Sequence, residues 1–114
     1  MDFLIALAGG KVLWDDFEKA DSFWKRLKGI MFRKKLRKPL VFYFPTEGRH
    51  SIHSFFCIPF DAIYLDTGKR IVDLIGDIQP NSHATPKKPA KYLIEAPAGS
   101  AARLKLLEGD RLFF

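Results

Sequence analysis

The chain has 114 residues, 47% of them hydrophobic and eleven of them Phe, which is enough apolar surface for one domain with a buried core. Cys57 is the only cysteine, so an intrachain disulfide framework is excluded and a reducing compartment is expected. The net charge of +6 is concentrated in residues 25–38, which carry eight basic and no acidic residues, whereas the rest of the chain is −2.

The first predicted elements are two short strands and a helix. Residues 3–7 are an apolar strand that ends at the turn formed by residues 9–10, and residues 11–14 are expected to pair back on it. A helix is then expected to begin after the N-cap Ser22 and to end at Gly29, since these residue types favour the two ends of a helix.

The remainder of the chain predicts a mainly β structure. A hairpin turn is expected at residues 66–69, a long Pro-containing loop at residues 79–89 and a short helix at residues 100–106. Further strands are predicted at residues 40–44 (ended by Pro45), 54–58, 62–65, 70–75, 90–95 and 111–114, with a bend at 59–61. Short strands separated by turns, with one or two short helices, predict a compact β-sandwich or partly closed barrel, in a single domain covering residues 1–114.

The basic segment, residues 25–38, is a candidate interface for nucleic acid or another acidic partner. Cations that neutralise phosphates release counterions and steer association. The same pattern is typical of a solvated surface beside a helix C-terminus, and the sequence shows neither an RNA-binding aromatic motif nor a helix-turn-helix, so nucleic acid is an alternative and is not favoured. The candidate contacts are Lys28, Arg33, Lys34, Lys35, Arg37 and Lys38.

Two carboxylates interrupt otherwise apolar strands. Asp61 and Glu95 each need a partner if they are buried, and Arg33 is a candidate because a guanidinium can bind a carboxylate with two hydrogen bonds. The structural interpretation, which we favour, is an ion pair of Arg33 with Asp61 or Glu95. The functional interpretation is the polar floor of a pocket.

The favoured functional hypothesis is a non-catalytic binding or accessory module with a small polar and aromatic pocket. The pocket would be walled by Phe42, Phe44 and Phe55, and its candidate ligand-binding residues are Arg33, His53, Ser54, Asp61 and Glu95. The alternative is a small hydrolase or lyase that uses Asp61 or Glu95 with His53. The sequence leaves open whether the protein is an enzyme.

Metal and thiol chemistry are not predicted. The histidines and the cysteine, at His50, His53, Cys57 and His83, lack a paired-ligand spacing, so no metal site and no cofactor are expected. The apolar surroundings of Cys57 are expected to keep its thiol protonated and inert.

Several motifs, in order along nearly the whole chain, resemble one family. They are Ala20-Asp21-Ser22, Lys28-Gly29-Ile30-Met31-Phe32-Arg33, residues 40–44, residues 58–66 followed by Gly68, residues 92–99, and Gly109-Asp110. Together they resemble the domain of unknown function 192 family, also called uncharacterised protein family 0127. Residues 51–56 depart from the Phe-Trp-Met-Lys-Asn-Thr common in bacterial relatives. The resemblance implies a β-sandwich-like fold and no established reaction or ligand.

Composition also bears on location and partners. The chain has one Asn and one Gln among many Lys and Arg, a bias typical of proteins from hot environments. Its apolar start carries Asp2 and lacks a basic leader, so neither a signal peptide nor a membrane partner is expected. We expect a cytoplasmic monomer or homodimer that binds an unknown small molecule or protein.

Overall fold

The structure, a computed structural model, describes residues 4–114, the side chain of Phe23 excepted. In this part of the chain there are ten strands and two short helices. They are β1 Ile5–Leu7, β2 Val12–Trp14, β3 Glu18–Ala20, α1 Phe23–Lys28, β4 Leu40–Gly48, β5 Ile52–His53, β6 Phe60–Leu65, β7 Ile71–Ile78, β8 His83–Ala84, β9 Ala90–Pro97, α2 Ser100–Arg103 and β10 Leu112–Phe113.

The centre of the fold is a five-stranded sheet in the order β3-β4-β9-β6-β7. β3 runs parallel to β4, and the other neighbours are antiparallel. Because side chains alternate along a strand, Phe42 and Leu93 face one side while Val41 and Ile94 face the other. Both sides are apolar, so this sheet is buried on both faces.

Two different layers cover the central sheet. The three-stranded sheet β10-β1-β2 packs on one face through Ile5, Leu13 and Leu112. The loop that follows α1 packs on the other face through Ile30 and Leu36, beside the two-stranded sheet β5-β8. Within residues 4–114 the sheets do not close into a barrel, and the prediction of a mainly β fold with two short helices is confirmed.

Two strand predictions are wrong. β4 does not stop at Pro45 but continues to Gly48, because its pairing with β9 shifts register between Tyr43 and Gly48 and this irregularity accommodates the proline. Residues 54–58 form a turn instead of a strand, with Phe56 at a φ of 59°.

Three short strands and one strand boundary also differ from the prediction. The strands β3, β5 and β8 were not predicted because they have two or three residues each and contain polar side chains, and β8 lies inside the predicted loop of residues 79–89. The strand predicted at residues 3–7 is observed at Ile5–Leu7, and Phe3 lies outside the described residues.

Candidate functional site

A cavity of about 440 Å³ lies where the end of α1 meets β4 and residues 50–53. We call it the apolar cavity, because most of its wall is formed by Leu27, Ile30, Met31, Phe42, Phe44, Pro45 and Ile52. Phe42 and Phe44 lie in this wall, as predicted, since alternation along β4 points both rings to the same face. Phe55 does not line it; its ring stacks on His53 and meets His83 edge-on, outside the cavity.

The charged groups of the apolar cavity are basic, and Ser51 adds a neutral polar side chain. Arg26, Lys28, His50 and His53 line it, and among the described residues no Asp or Glu does. Arg26 is held in place by a hydrogen bond from Nη1 to the carbonyl oxygen of Tyr43, 3.2 Å away. The His50 ring stacks on Phe44 with centroids 4.2 Å apart. The cavity therefore combines an apolar interior with a positive wall.

Gly29 forms the part of the wall where α1 ends. The helix begins with the Ser22 hydroxyl accepting from the Lys25 backbone N–H, and it ends at Gly29 with a φ of 51°, so both predicted ends are confirmed. A Cβ on Gly29 would lie 3.2 Å from Cζ of Phe42 and 3.3 Å from Oε1 of Glu95. Only glycine fits both this backbone conformation and this close approach.

Glu95 lies behind this wall in the core. It is 3% exposed, and its Oε1 has no hydrogen-bond partner among residues 4–114. Burial raises the pKa of Glu95 to about 8, while the positive charge of Arg33 acts in the opposite direction. The hydroxyl of the buried Tyr64 likewise has no hydrogen-bond partner in the described part of the chain, and burial raises its pKa, with the Glu95 charge adding to the effect.

Cys57 lines the apolar cavity but is poorly suited to nucleophilic chemistry. Its side chain is buried, and burial together with the Glu95 charge raises the pKa of the thiol to about 11. The thiol is therefore protonated at neutral pH, whereas nucleophilic attack requires the thiolate.

Asp61 lies outside the apolar cavity, and its carboxylate binds backbone N–H groups. It is 2% exposed, and its Oδ1 accepts hydrogen bonds from the backbone N–H groups of Asp77 at 2.8 Å and Gly99 at 3.1 Å. Its Oδ2 accepts from Ala101 at 2.9 Å. The carboxylate thus joins the end of β7 to the first turn of α2, and it lines a separate cavity there.

Arg33 forms an ion pair, but the predicted partners, Asp61 and Glu95, are wrong. Arg33 pairs with Glu18 on β3, with two guanidinium nitrogens donating to the two carboxylate oxygens. Asp61 accepts hydrogen bonds from backbone N–H groups instead. The positive charge of Arg33 acts to lower the pKa of Glu95, but the structure shows no hydrogen bond between these two described side chains. Arg33 and Glu18 line a third cavity, on the other side of Gly29.

Ser54 holds two loops together and does not line the apolar cavity. Its buried hydroxyl donates to the carbonyl oxygen of Gln79 at 2.6 Å and accepts from the backbone N–H of Ser82 at 2.7 Å. Its own backbone N–H donates to the Ser82 carbonyl oxygen. This network fixes the turn that carries His53 and Cys57.

Replacing Ser54 by Ala is expected to lower the free energy of unfolding by about 1–3 kcal/mol, because the half-buried backbone N–H of Ser82 loses its acceptor. The Gln79 carbonyl oxygen loses one donor and keeps the Ser82 hydroxyl as another. Urea unfolding measures the loss. Ser51→Ala is the matched control, since that hydroxyl is exposed and forms a hydrogen bond with the Thr85 hydroxyl, and it should change stability by less than about 0.5 kcal/mol. Equal losses in the two variants would show that the Ser54 network is unimportant.

The polar residues predicted for one site are therefore distributed over several places. Only His53 lines the apolar cavity, where its Nδ1 accepts from the backbone N–H of Phe55. Asp61 and Arg33 each line a different cavity, and Glu95 is buried. Because Asp61, Glu95 and His53 do not share a cleft, the structure offers no acid–base pair for the hydrolase alternative.

The basic segment is partly neutralised. Lys25, Arg33 and Lys38 pair with Asp21, Glu18 and Asp16 respectively. The other exposed cations of the segment have no carboxylate within ion-pair distance in residues 4–114; they are Lys28, Lys34, Lys35 and Arg37. In the same residues no three His, Cys, Asp or Glu side chains cluster as a metal site would require, and no helix is long and apolar enough to cross a bilayer.

The fold and cavity define a mainly β protein whose central sheet is covered on both faces and whose apolar cavity has basic walls. Residues 5–114 match the family model of domain of unknown function 192, described as an uncharacterized ACR, and the chain belongs to this family. The resemblance seen in the sequence motifs is thereby confirmed.

The family's curated relatives are similar over most of this chain. A UPF0127 protein of Thermococcus kodakarensis is 40% identical over 89% of this chain, which spans only 66% of the relative's length. A UPF0127 protein of Pyrococcus furiosus is 38% identical over 96% of this chain and 95% of its own.

Solved structures share the fold. A protein of unknown function from Novosphingobium aromaticivorans superposes with a TM-score of 0.87, at 23% identity, over 97% of this chain and 84% of its own. A second structure, from Sinorhizobium meliloti, also has a TM-score of 0.87 at 23% identity, over 96% of this chain and 89% of its own.

Proposed function

We propose that the protein is a non-catalytic binding module whose apolar cavity takes a small molecule with an apolar body and an anionic group. The observation that carries this proposal is the combination, in one cavity, of an apolar wall with basic residues as its only charged side chains among the described residues. Concave sites of this kind, with a few polar groups to fix orientation, are the usual form of a small-molecule site.

The apolar part of the ligand would lie against Phe42, Phe44 and Ile52. A volume of about 440 Å³ falls within the range of roughly 300–1,000 Å³ found for ligand pockets. Burying apolar ligand surface there supplies most of the binding free energy, at about 25 cal/mol per Å².

The anionic part of the ligand would lie toward Arg26 and Lys28. The Arg26 guanidinium is oriented by its hydrogen bond to Tyr43, so little of its freedom remains to be lost on binding. A carboxylate or phosphate near these groups gains a charge-assisted hydrogen bond, whereas a cationic ligand meets like charge.

The absence of catalysis is part of the proposal. The Cys57 thiol at the cavity has a pKa of about 11, and the carboxylates Asp61 and Glu95 do not line the cavity. We also propose a cytoplasmic location, which the single buried and unpaired cysteine supports.

Decanoate is expected to bind with one molecule per chain and at least tenfold more tightly than decanol or decyltrimethylammonium, because only decanoate combines an apolar chain with a negative charge. Isothermal titration calorimetry measures the three affinities. Replacing Arg26 and Lys28 together by Gln should remove the preference for decanoate over decanol.

A second variant tests the location of the site. Ile52→Trp fills the apolar cavity and should abolish decanoate binding, while Leu74→Trp, at a half-buried position on the other face of the sheet, should not. The proposal fails if none of the three compounds binds, or if the two Trp variants behave alike.

A further inference from the structure

Two aromatic rings are stacked on the surface beside the basic segment. The rings of Phe32 and Phe56 have centroids 5.0 Å apart and an interplanar angle of 18°. They are 70% and 63% exposed respectively, although Phe is among the residues most often buried. Each ring covers one face of the other, so each presents its outer face to solvent.

This exposed pair is held in an unusual backbone conformation. Phe32 has a φ of 64° and Phe56 a φ of 59°, a region that bulky residues rarely adopt because of steric cost. The backbone N–H of Phe32 donates to the carbonyl oxygen of Phe56 at 2.8 Å, which fixes the two turns against each other. Folding gains little from rings left in water, so the strain at two such residues points to a surface that binds something.

The charge next to the pair is positive. Lys34 and Lys35 follow Phe32 by two and three residues, so their Cα atoms lie within about 11 Å of its Cα. They are exposed, and Arg37 is exposed close behind them. The chain has no acidic residue between Asp21 and Glu47. A planar aromatic platform and a group of cations that pair with no carboxylate of residues 4–114 thus occupy one segment of the surface.

We propose that the Phe32–Phe56 platform and Lys34, Lys35 and Arg37 form a binding site for single-stranded nucleic acid. Bases would stack on the outer faces of the two rings, and the neighbouring cations would contact the phosphates. Unpaired bases are required, because a base inside a duplex cannot offer its face to a side chain. This site is separate from the apolar cavity and does not depend on the function proposed for it.

Nucleic acid fits the platform better than an acidic protein segment does. An acidic peptide would satisfy the cations but would leave the two exposed rings without a matching planar group. A nucleotide carries a planar base and an anionic phosphate a few ångströms apart, which matches rings and cations that are adjacent along the chain. The test must therefore distinguish single-stranded nucleic acid from an acidic protein partner.

Fluorescence anisotropy with a labelled single-stranded dodecathymidylate measures binding by the whole chain. The wild-type protein should bind it more tightly than the corresponding duplex, and raising the salt from 50 to 200 mM should weaken binding about twentyfold, as expected for roughly three phosphate contacts. Thermal melting of each variant verifies that it is folded.

The variants separate stacking from charge. Replacing Phe32 and Phe56 by Asn, which tolerates positive φ, should weaken binding at least about fivefold without changing the salt dependence. Replacing Lys34 and Lys35 by Glu should weaken binding and also make the salt dependence shallower. Phe56→Trp keeps an aromatic face and should retain binding.

The controls lie on the opposite side of the central sheet. Phe113→Asn removes another exposed ring beside a cation, and the pair Lys11→Glu and Arg103→Glu makes the same charge change as the Lys34 and Lys35 pair. Both controls should bind like the wild type.

Four results would overturn the inference. These are no binding at 50 mM salt, full binding by the Asn double variant, an equal loss in the control charge variant, or displacement of the labelled strand by polyglutamate as readily as by unlabelled strand. The last result would identify an acidic partner instead. The two charge variants keep the test decisive even if the Asn double variant does not fold.

Discussion

Replacing Asp61 by Ala is expected to lower the free energy of unfolding by about 3–5 kcal/mol, among the largest effects of a single substitution. The carboxylate accepts three hydrogen bonds from the backbone N–H groups of Asp77, Gly99 and Ala101, in a place that is almost fully buried. Alanine leaves these three donors without the acceptor that fixes their geometry, and each lost hydrogen bond to a charged group lowers the free energy of unfolding. The loss should loosen α2 from the sheet, since the carboxylate joins α2 to β7.

Urea unfolding of three variants tests this role. Asp61→Asn keeps one acceptor oxygen and should lose about half as much stability as Asp61→Ala. Asp66→Ala is the matched control, because that carboxylate also accepts two backbone hydrogen bonds, from Gly68 and Arg70, but in an exposed turn. If Asp61→Ala costs no more than Asp66→Ala, Asp61 does not organise the fold, and a ligand-binding role for it regains support.

The fold could be predicted where local chemistry and tertiary structure agree. The continuous apolar runs of β4, β6 and β9 predict strands, and both faces of these strands are buried in the sheet. Residues 54–58 are equally apolar yet form a turn, because Ser54 binds Gln79 and Ser82 and so holds the chain away from the sheet. Nothing local in the sequence reveals partners 25 or 28 residues away.

The site could be predicted only in part, for a related reason. Phe42 and Phe44 were identified because strand alternation places them together, and this is a local property. The partner of Arg33 could not be identified, because Glu18 reaches it through β3, a short parallel strand that the sequence pattern does not mark. The stacking of Phe32 on Phe56 likewise depends on two turns that meet only in the folded chain.

The free energy of unfolding is expected to decrease as the pH rises from about 5 to 8, because of Glu95. Its pKa is about 8 in the folded protein and near its ordinary value of 4.5 when unfolded. Below pH 4.5 both states hold the proton, and the group has no effect. Between the two values only the unfolded state ionises, so unfolding releases a proton and stability falls by up to about 1.4 kcal/mol per pH unit. Above pH 8 the loss is complete.

Glu95→Gln should remove this pH dependence, since the amide resembles the protonated carboxyl in shape and cannot ionise. The variant should match the wild type near pH 4.5 and exceed its stability by roughly 4 kcal/mol at pH 8, as measured by urea unfolding at each pH. Glu47→Gln is the control, because that carboxylate is exposed and binds Thr67, and it should leave the decrease between pH 5 and 8 unchanged. If Glu95→Gln is instead less stable than the wild type at pH 8, the ionised carboxylate has a stabilising partner in the core. Because Glu95 lies against Gly29 in the wall of the apolar cavity, ligand binding there would be the next measurement to repeat across the same pH range.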